Sequence, residues 1–184
     1  MPEELVQQLP YIFGFVQDAL GAPLLSKEGY EADDIIATVA EHYRNRPETE
    51  VIILSGDQDL LQLVGDNICI LQPQNGGKTK CLRRDEVMEK LGVSPERVAD
   101  YKALAGDSSD KLAGVPGIGP KGAVQIISQW GDIETAIAHV DEITGKPGEL
   151  LREYASNARE TKQMALLHRD LQIDGYSEEA GQVP

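Results

Sequence analysis

Three short acidic groups are the residues of this chain best suited to chemistry. They are Glu31-Ala-Asp33-Asp34, Asp57-Gln-Asp59 and Asp107-Ser-Ser-Asp110. Each lies at the end of a predicted element, which is where α/β folds place their active sites. Each group alone also fits a structural role, because acids complement a helix N-terminus and aspartate is common in turns. Together they would repel by about 3 kcal/mol per pair at ~5 Å and an effective dielectric of 20. Their convergence in one crevice would therefore indicate bound cations.

The ligand types predict which cations these would be. No histidine or thiolate cluster accompanies the acids, and His42, His139 and His168 form no arrangement with a nucleophile. Ligands that are all oxygen favour Mg²⁺ or Mn²⁺ over zinc. Two such ions ~4 Å apart suit phosphodiester hydrolysis, because they can activate a water and steady the leaving oxygen. We therefore predict a two-metal site for hydrolysing phosphodiesters.

A glycine-rich stretch from Gly114 to Ala123, with the sequence GVPGIGPKGA, predicts a second kind of site. Its glycines allow a tight hairpin between helices, and the N–H groups at the start of the following helix can bind a phosphate. The expected DNA-binding residues are Gly117, Ile118, Gly119, Lys121 and Gly122. Contacts to phosphate carry no base information, so the binding should be independent of sequence. The alternative is a hairpin with a purely structural role.

Hydrophobic spacing and breaker residues predict the elements that position these sites. Helices are expected over 2–20, from Glu31 to Pro47, over a short stretch ending at Gly65, and over 95–105, 120–129, 132–139 and 147–167. Strands are expected over 51–54, buried and parallel, and over 68–71, with no element in the last dozen residues. Strand, helix, strand in this order predicts an α/β fold with a parallel sheet. We divide the chain into an α/β metal-binding core (1–84), a helical DNA-binding subdomain (85–170) and a tail (171–184).

Composition limits the class of protein. The 184 residues are 41% hydrophobic, enough for a folded core, and no apolar run approaches the ~20 residues of a membrane span. The two cysteines have no zinc spacing, and the start lacks a signal peptide, so we expect a cytoplasmic protein. The net charge of −14 is unusual for a DNA-binding protein. Two stretches free of acids, Asn67–Arg84 and Lys111–Gly131, could provide basic surfaces, although charge alone favours ordinary solvated faces.

Three segments in this order resemble the 5′ nuclease, or flap endonuclease, family, and most of all the 5′→3′ exonuclease domain of bacterial DNA polymerase I. The segments are YEADD (30–34), LSGDQDLLQLV (54–64) and GDSSDKLAGVPGIGPKGA (106–123). The resemblance implies a PIN- or Rossmann-like nuclease core followed by a helix-hairpin-helix (H3TH) subdomain. It implies that seven carboxylates hold two Mg²⁺ or Mn²⁺ ions, namely Glu31, Asp33, Asp34, Asp57, Asp59, Asp107 and Asp110. Among these we assign catalytic roles to Asp34, Asp57 and Asp59.

The resemblance also implies the substrate and partners. The family acts on DNA 5′ ends and flaps in replication and repair, and its glycine hairpin grips duplex DNA, often with a bound K⁺. The resemblance implies a monomer of the bacterial nucleoid that acts on 5′ flaps and on nicked or branched duplex, alone or with a DNA polymerase. Family members open with a strand that bears another metal-binding Asp, followed by a helical arch. This sequence begins after both, so we expect an N-terminally incomplete core, with the second metal site (Asp57, Asp59, Asp107, Asp110) intact and the first incomplete.

Two other functions fit part of the sequence. An aspartyl-phosphate phosphatase would use Asp57 as a nucleophile and Gly106–Asp110 as a metal loop, but it leaves the glycine hairpin unexplained. A DNA-structure-binding module without turnover would use the hairpin alone. Cleavage of a 5′-flap DNA without a covalent intermediate would exclude both.

Overall fold

The computed structural model describes residues 2–173 and residue 176. Its helices are α1 (Glu3–Gly14), α2 (Ala32–Tyr43), α3 (Arg84–Leu91), α4 (Val98–Ala105), α5 (Pro120–Trp130), α6 (Ile133–Ala138), α7 (Lys146–Glu153) and α8 (Ala155–Ala165). Its strands are β1 (Val51–Leu54), β2 (Ile68–Pro73) and β3 (Thr79–Leu82). Short 3₁₀ turns cover Asp59–Leu63, Pro95–Arg97 and Val140–Glu142, and a π-helical turn covers Phe15–Ala19. Within the described residues, no helix is both long enough and apolar enough to cross a bilayer.

The sheet has the order β1-β2-β3 and is mixed. β1 and β2 run parallel, as predicted, with Val51 opposite Ile68. β3 pairs antiparallel with β2 and was not predicted. Its residues are polar except at the end, and only Leu82 is buried, so it lacks the hydrophobic pattern of a strand. The α/β class is therefore confirmed, but the sheet is not wholly parallel.

The prediction that β1 is buried is wrong. Only Ile53 of this strand is buried, whereas Ile52 is 57% exposed and Leu54 is 67% exposed. Ile52 and Leu54 lie on the face of the sheet opposite to Ile53, and the described residues leave this face of β1 open. A run of four apolar residues cannot distinguish a strand covered on both faces from a strand covered on one face.

Several helices differ from the prediction, and α3 was not among the predicted helices. The helix predicted over 2–20 is α-helical only to Gly14, and none of its side chains is buried. The helix predicted over 95–105 begins as a 3₁₀ turn and continues as α4. The helix predicted over 147–167 is divided into α7 and α8 at Tyr154, whose backbone (φ −107°, ψ 22°) leaves the α-helical region. The tail predicted over 171–184 lies largely outside the described residues.

Two hydrophobic cores hold the molecule together. The first packs α2, the sheet and the 3₁₀ turn after β1, and the second packs α4 to α8 around the glycine hairpin. α4 contributes to both, with Val98 in the first core and Leu104 in the second. The loop that leaves α4 is thereby fixed against the α/β part, and this loop carries Asp107 and Asp110. The predicted division at residue 84 stays a prediction.

The segment after α8, residues 166–171, returns to the α/β part and is here named the return segment. The buried Gln62 side chain donates to the Ala165 carbonyl (3.0 Å) and accepts from the Leu167 N–H (3.3 Å). The Thr38 hydroxyl accepts from the Leu171 N–H at 3.3 Å. These bonds hold the end of α8 beside the start of α2.

Candidate metal centre

The first acidic group, Glu31, Asp33 and Asp34, lies at the start of α2, and these residues are named the helix-start acids. Glu31 is the N-cap residue, and its N–H donates to the Asp34 carboxylate at 3.4 Å. The other oxygen of that carboxylate accepts the backbone N–H of His168 at 2.9 Å, from the return segment. Asp34 therefore has a structural role as well as a position in the site.

The second group, Asp57 and Asp59, follows β1 as predicted. The Asp57 N–H donates to the Ser55 hydroxyl at 3.0 Å, and the Asp57 carboxylate accepts the Asp59 N–H at 2.9 Å. This local turn begins the 3₁₀ segment over Asp59–Leu63, whose leucines are buried. Burial of the leucines fixes Asp59 at the surface of the first core.

The third group, Asp107 and Asp110, is held in a tightly packed loop. A side chain at Gly114 would meet the backbone nitrogen of Gly106 at 2.2 Å and the carbonyl of Leu104 at 2.5 Å. Gly106 has φ +75°, a conformation that favours glycine. The Asp107 N–H donates to the Leu112 carbonyl at 3.0 Å, closing the loop. Both glycines are therefore needed for the backbone approach that positions Asp107.

Carboxylates of the three groups lie close together. Oxygens of Asp59, Asp107 and Asp110 lie within 4.8 Å of one another, and these three residues are named the lysine-bound acids. Asp59 also lines a cavity of about 330 Å³ together with all three helix-start acids. Another cavity, of about 370 Å³, has Asp57 and Asp110 in its wall. An all-oxygen ligand set at this spacing fits Mg²⁺ or Mn²⁺.

Lys102 of α4 is the cation beside the lysine-bound acids. Its amino group lies 2.6 Å from an Asp107 oxygen and 3.2 Å from an Asp110 oxygen, and it also contacts Asp59. The Lys102 side chain is only 5% exposed.

The pKa shifts follow this arrangement. Burial raises the pKa of Asp33, and the negative charges of Asp57, Glu31, Asp34 and Asp110 raise it further. Burial also raises the pKa of Asp107, but hydrogen bonds from Lys102 and Ser109 outweigh it, so that the pKa falls to about 2. The two parts of the site thus shift the pKa of an aspartate in opposite directions.

Lys102, Gln62 and His168 were missed in the sequence analysis. Lys102 stands within VADYKALA, a helix whose other side chains are mainly apolar. A lysine on the buried face of such a helix is a signal that could have been used, because lysine is almost never buried without a partner. Gln62 and His168 carried no local signal, since their contacts to Ala165, Leu167 and Asp34 join distant parts of the chain.

The glycine hairpin lies between α4 and α5. Gly117 has φ +88°, and Gly119 is the N-cap residue of α5, with open space where a side chain would be. Lys121 is exposed in the first turn of α5. Ile118 is only 4% exposed and belongs to the second core, so only its backbone could contact a ligand.

The basic stretch Asn67–Arg84 gives limited support for a DNA surface. Arg83 pairs with Glu50, and Arg84 pairs with Glu96. Hydrogen bonding to Arg84 lowers the pKa of Glu96 to about 2. Two of the four cations in this stretch thus have acidic partners, which agrees with ordinary solvated surface.

Comparison with protein families covers the whole chain. Residues 1–92 match the 5′–3′ exonuclease N-terminal resolvase-like domain, and residues 93–182 match the 5′–3′ exonuclease C-terminal SAM fold. The chain belongs to the 5′–3′ exonuclease family. The resemblance seen in the sequence is therefore confirmed, and an aspartyl-phosphate phosphatase is not favoured.

Relatives of this 5′–3′ exonuclease family chain include several bacterial DNA polymerases I. The DNA polymerase I of Mycobacterium tuberculosis is 36% identical over 173 residues, which are 94% of this chain and 19% of that protein. The DNA polymerase I of Chloroflexus aurantiacus is 39% identical over 176 residues, which are 94% of this chain and 18% of that protein. The chain thus spans about a fifth of the length of these relatives.

Solved structures of similar fold include nucleases of bacteriophage T5. A T5 5′-exonuclease with bound divalent zinc ions matches with a TM-score of 0.72 and 23% identity, covering 91% of this chain and 63% of that one. A T5 flap endonuclease in a pseudo-enzyme-product complex with DNA and metal ions matches with a TM-score of 0.70 and 22% identity, covering 90% of this chain and 62% of that one. The catalytic core of Rad2 in complex with DNA substrate matches with a TM-score of 0.54 and 14% identity, covering 94% of this chain and 56% of that one. At these identities the matches show a shared fold.

Proposed function

We propose that this chain is the metal-binding and DNA-binding part of a 5′→3′ exonuclease that also cuts 5′ flaps. The main support for this proposal is the cluster of oxygens from Asp59, Asp107 and Asp110. These oxygens lie within 4.8 Å of one another, beside the cavity lined by the helix-start acids. Such a concentration of carboxylates is unfavourable without cations. Family membership supports the assignment to a nuclease.

The proposed ions are two Mg²⁺ or Mn²⁺. Asp57, Asp59, Asp107 and Asp110 would hold one of them, and Glu31, Asp33 and Asp34 would contribute to the other. When bound, such ions supply Lewis-acid stabilisation of the phosphate and an activated water. Among the protein ligands, Asp34, Asp57 and Asp59 are proposed as the catalytic residues.

The chain's own groups would also orient the substrate. The N–H groups of Lys121 and Gly122 at the start of the 11-residue helix α5 favour a phosphate, and the exposed Lys121 adds a positive charge. Gly117 and Gly119 let the backbone approach the ligand closely, and a K⁺ held by the hairpin would add positive charge for the phosphate. Binding of this kind positions duplex DNA without reading its bases.

The proposed substrates are 5′ flaps and nicked or branched duplex DNA, and the proposed partner is a DNA polymerase. The similar T5 flap endonuclease and Rad2 core were solved with DNA, and the relatives in bacteria are DNA polymerases I. These likenesses support the proposal for this chain.

The test is cleavage of a duplex DNA with a 5′-labelled flap by the full chain, with Mg²⁺ or Mn²⁺. Products are expected from the wild-type chain and should be lost, by more than about 100-fold, in Asp107→Ala. Asp141→Ala is the matched control, since Asp141 is an exposed acid paired with Arg152. Binding without products from the wild-type chain would instead favour a non-catalytic DNA-structure-binding module. A phosphoryl group trapped on Asp57 would favour the phosphatase.

A further inference from the structure

A buried lysine occupies the place where the proposed function requires a metal ion. The Lys102 amino group contacts Asp59 and lies 2.6 Å from Asp107 and 3.2 Å from Asp110. The oxygens of these three acids are the ones that lie within 4.8 Å of one another. The ammonium group and a divalent ion would therefore use the same oxygens.

The charges explain why the lysine is there. Three carboxylates and one ammonium leave two uncompensated negative charges, in a site where the Asp59 and Asp107 side chains are mostly buried and that of Asp110 is exposed. Unpaired buried charges are strongly unfavourable, so the ammonium stabilises the metal-free fold. A divalent ion brings twice the charge and would make the ammonium unnecessary, while the ammonium would repel the incoming ion.

From this geometry we propose that Lys102 is a displaceable counter-ion that competes with the divalent metal for Asp59, Asp107 and Asp110. It stabilises the site before metal binds and lowers the metal affinity. The competition is reciprocal, because two ligands that weaken each other's binding do so by the same factor. This inference rests on the proposed function and deepens it.

The surroundings of Lys102 allow it to move. A cavity of about 260 Å³ is lined by Lys102 itself together with the polar residues Gln58, Tyr101, Ser108 and Ser109, and Asp107 forms part of its wall. The lysine side chain is a flexible four-carbon chain with three rotatable donors, so the amino group can turn from the carboxylates towards these polar groups. Displacement then needs only a change of rotamer, with α4 left in place.

The test replaces Lys102 with methionine, which keeps the length of the side chain and removes its charge. Mg²⁺ affinity of the full chain is measured by titration calorimetry, and the metal-free melting temperature is measured in the presence of a chelator. Lys102→Met should bind Mg²⁺ roughly tenfold more tightly than the wild type while melting at a lower temperature without metal. If Lys102 had only a structural role, the substitution would lower both the Mg²⁺ affinity and the metal-free melting temperature.

Lys162→Met is the matched control. Lys162 pairs with the buried Asp100 at 2.7 Å, so its loss also leaves a buried carboxylate without its lysine. It should lower the metal-free melting temperature and leave the Mg²⁺ affinity unchanged. Lys102→Arg, which keeps the charge, should bind Mg²⁺ no more tightly than the wild type.

The outcomes separate the two proposals. If the wild type binds Mg²⁺ and a folded Lys102→Met binds it equally or more weakly, the counter-ion role is wrong and the metal site stands. If neither binds Mg²⁺ at millimolar concentration, the metal assignment fails, and this inference fails with it. If Lys102→Met does not fold, tighter binding by Lys102→Arg would overturn the inference, and weaker or equal binding supports it.

Discussion

The helix-start acids and the lysine-bound acids both place several negative charges close together, but the two groups differ in the charges around them. Asp59, Asp107 and Asp110 share an internal cation, and the pKa of Asp107 falls to about 2. Burial and, after it, the negative charges of its neighbours raise the pKa of Asp33. In the metal-free protein, a lysine partly compensates the charge of the lysine-bound acids, whereas Asp33 is buried among like charges.

The two parts also differ in how the fold holds them. The lysine-bound acids depend on close backbone packing between Gly106 and Gly114 and on a single helix, α4. The helix-start acids depend on one N-cap and on the His168 N–H from the return segment. A substitution that disturbs the backbone should therefore strongly lower stability at the lysine-bound acids. At the helix-start acids, a change of charge should alter stability only slightly.

The largest effect should come from Gly114→Ala, which disrupts the backbone packing between Gly106 and Gly114. The added carbon would meet three backbone atoms, the nearest at 2.2 Å, and backbone atoms cannot move aside as a side chain can. We expect unfolding free energy to fall by roughly 3 kcal/mol and the Mg²⁺-dependent rise in melting temperature to disappear. Urea unfolding measures the free energy, and thermal melting with and without Mg²⁺ measures the rise in melting temperature.

Gly56→Ala is the control for this substitution, because Gly56 adjoins Asp57 and has open space where the new carbon would lie. It should change stability by less than about 1 kcal/mol and keep the response to Mg²⁺. Equal effects of the two substitutions would show that the Gly106–Gly114 contact does not position the acids.

A smaller effect should appear when the metal-free protein is acidified. The folded pKa of Asp107 is about 2, below its ordinary value of 3.8. Its ionised form therefore stabilises the fold fully above about pH 4, and this stabilisation is lost as the pH falls towards 2. Allowing for solvent screening, we expect roughly 1–2 kcal/mol.

The measurement is the urea midpoint of the wild type and Asp107→Asn between pH 6 and pH 2, with a chelator present. The difference between the two proteins should be constant at the upper end and shrink below pH 4. Asp141→Asn, which removes an exposed acid, should show no such change. A constant difference down to pH 2 would mean that Lys102 does not compensate Asp107.

The acidic residues could be predicted from the sequence because local signals mark them. Glu31 is an N-cap residue, Asp57 begins a turn, and Asp107 follows a glycine with positive φ. Such signals act over three or four residues and need no knowledge of the fold. The order of helices and the parallel pairing of β1 with β2 follow from hydrophobic spacing in the same way.

The features that were missed depend on contacts between distant segments. The exposure of Leu54 depends on which face of the sheet other elements cover, and the position of β3 depends on pairing with β2. The partners of Lys102 come from two loops, one of which follows β1. A single sequence shows that these residues are unusual, but it does not show which residues they contact.

The smallest effect, and the one of opposite sign, is expected for Asp33→Asn. The raised pKa of Asp33 means that its ionised form is disfavoured in the folded state, so removing its charge should stabilise the metal-free protein. We expect the melting temperature at pH 7 to rise by roughly 1–3 °C in a chelating buffer. The rise on adding Mg²⁺ should become smaller, because one metal ligand is lost.

The pH dependence separates this effect from ordinary surface changes. Because the folded pKa of Asp33 lies above 3.8, its repulsion is present at neutral pH and vanishes as the group is protonated. The advantage of Asp33→Asn should therefore disappear below about pH 4, where the lysine-bound acids begin to lose their own stabilisation. Asp18→Asn, at an exposed acid in the π-helical turn, should leave stability unchanged throughout. A metal-free Asp33→Asn chain that melts below the wild type would show that the helix-start acids are compensated after all, and the contrast between the two parts of the site would be lost.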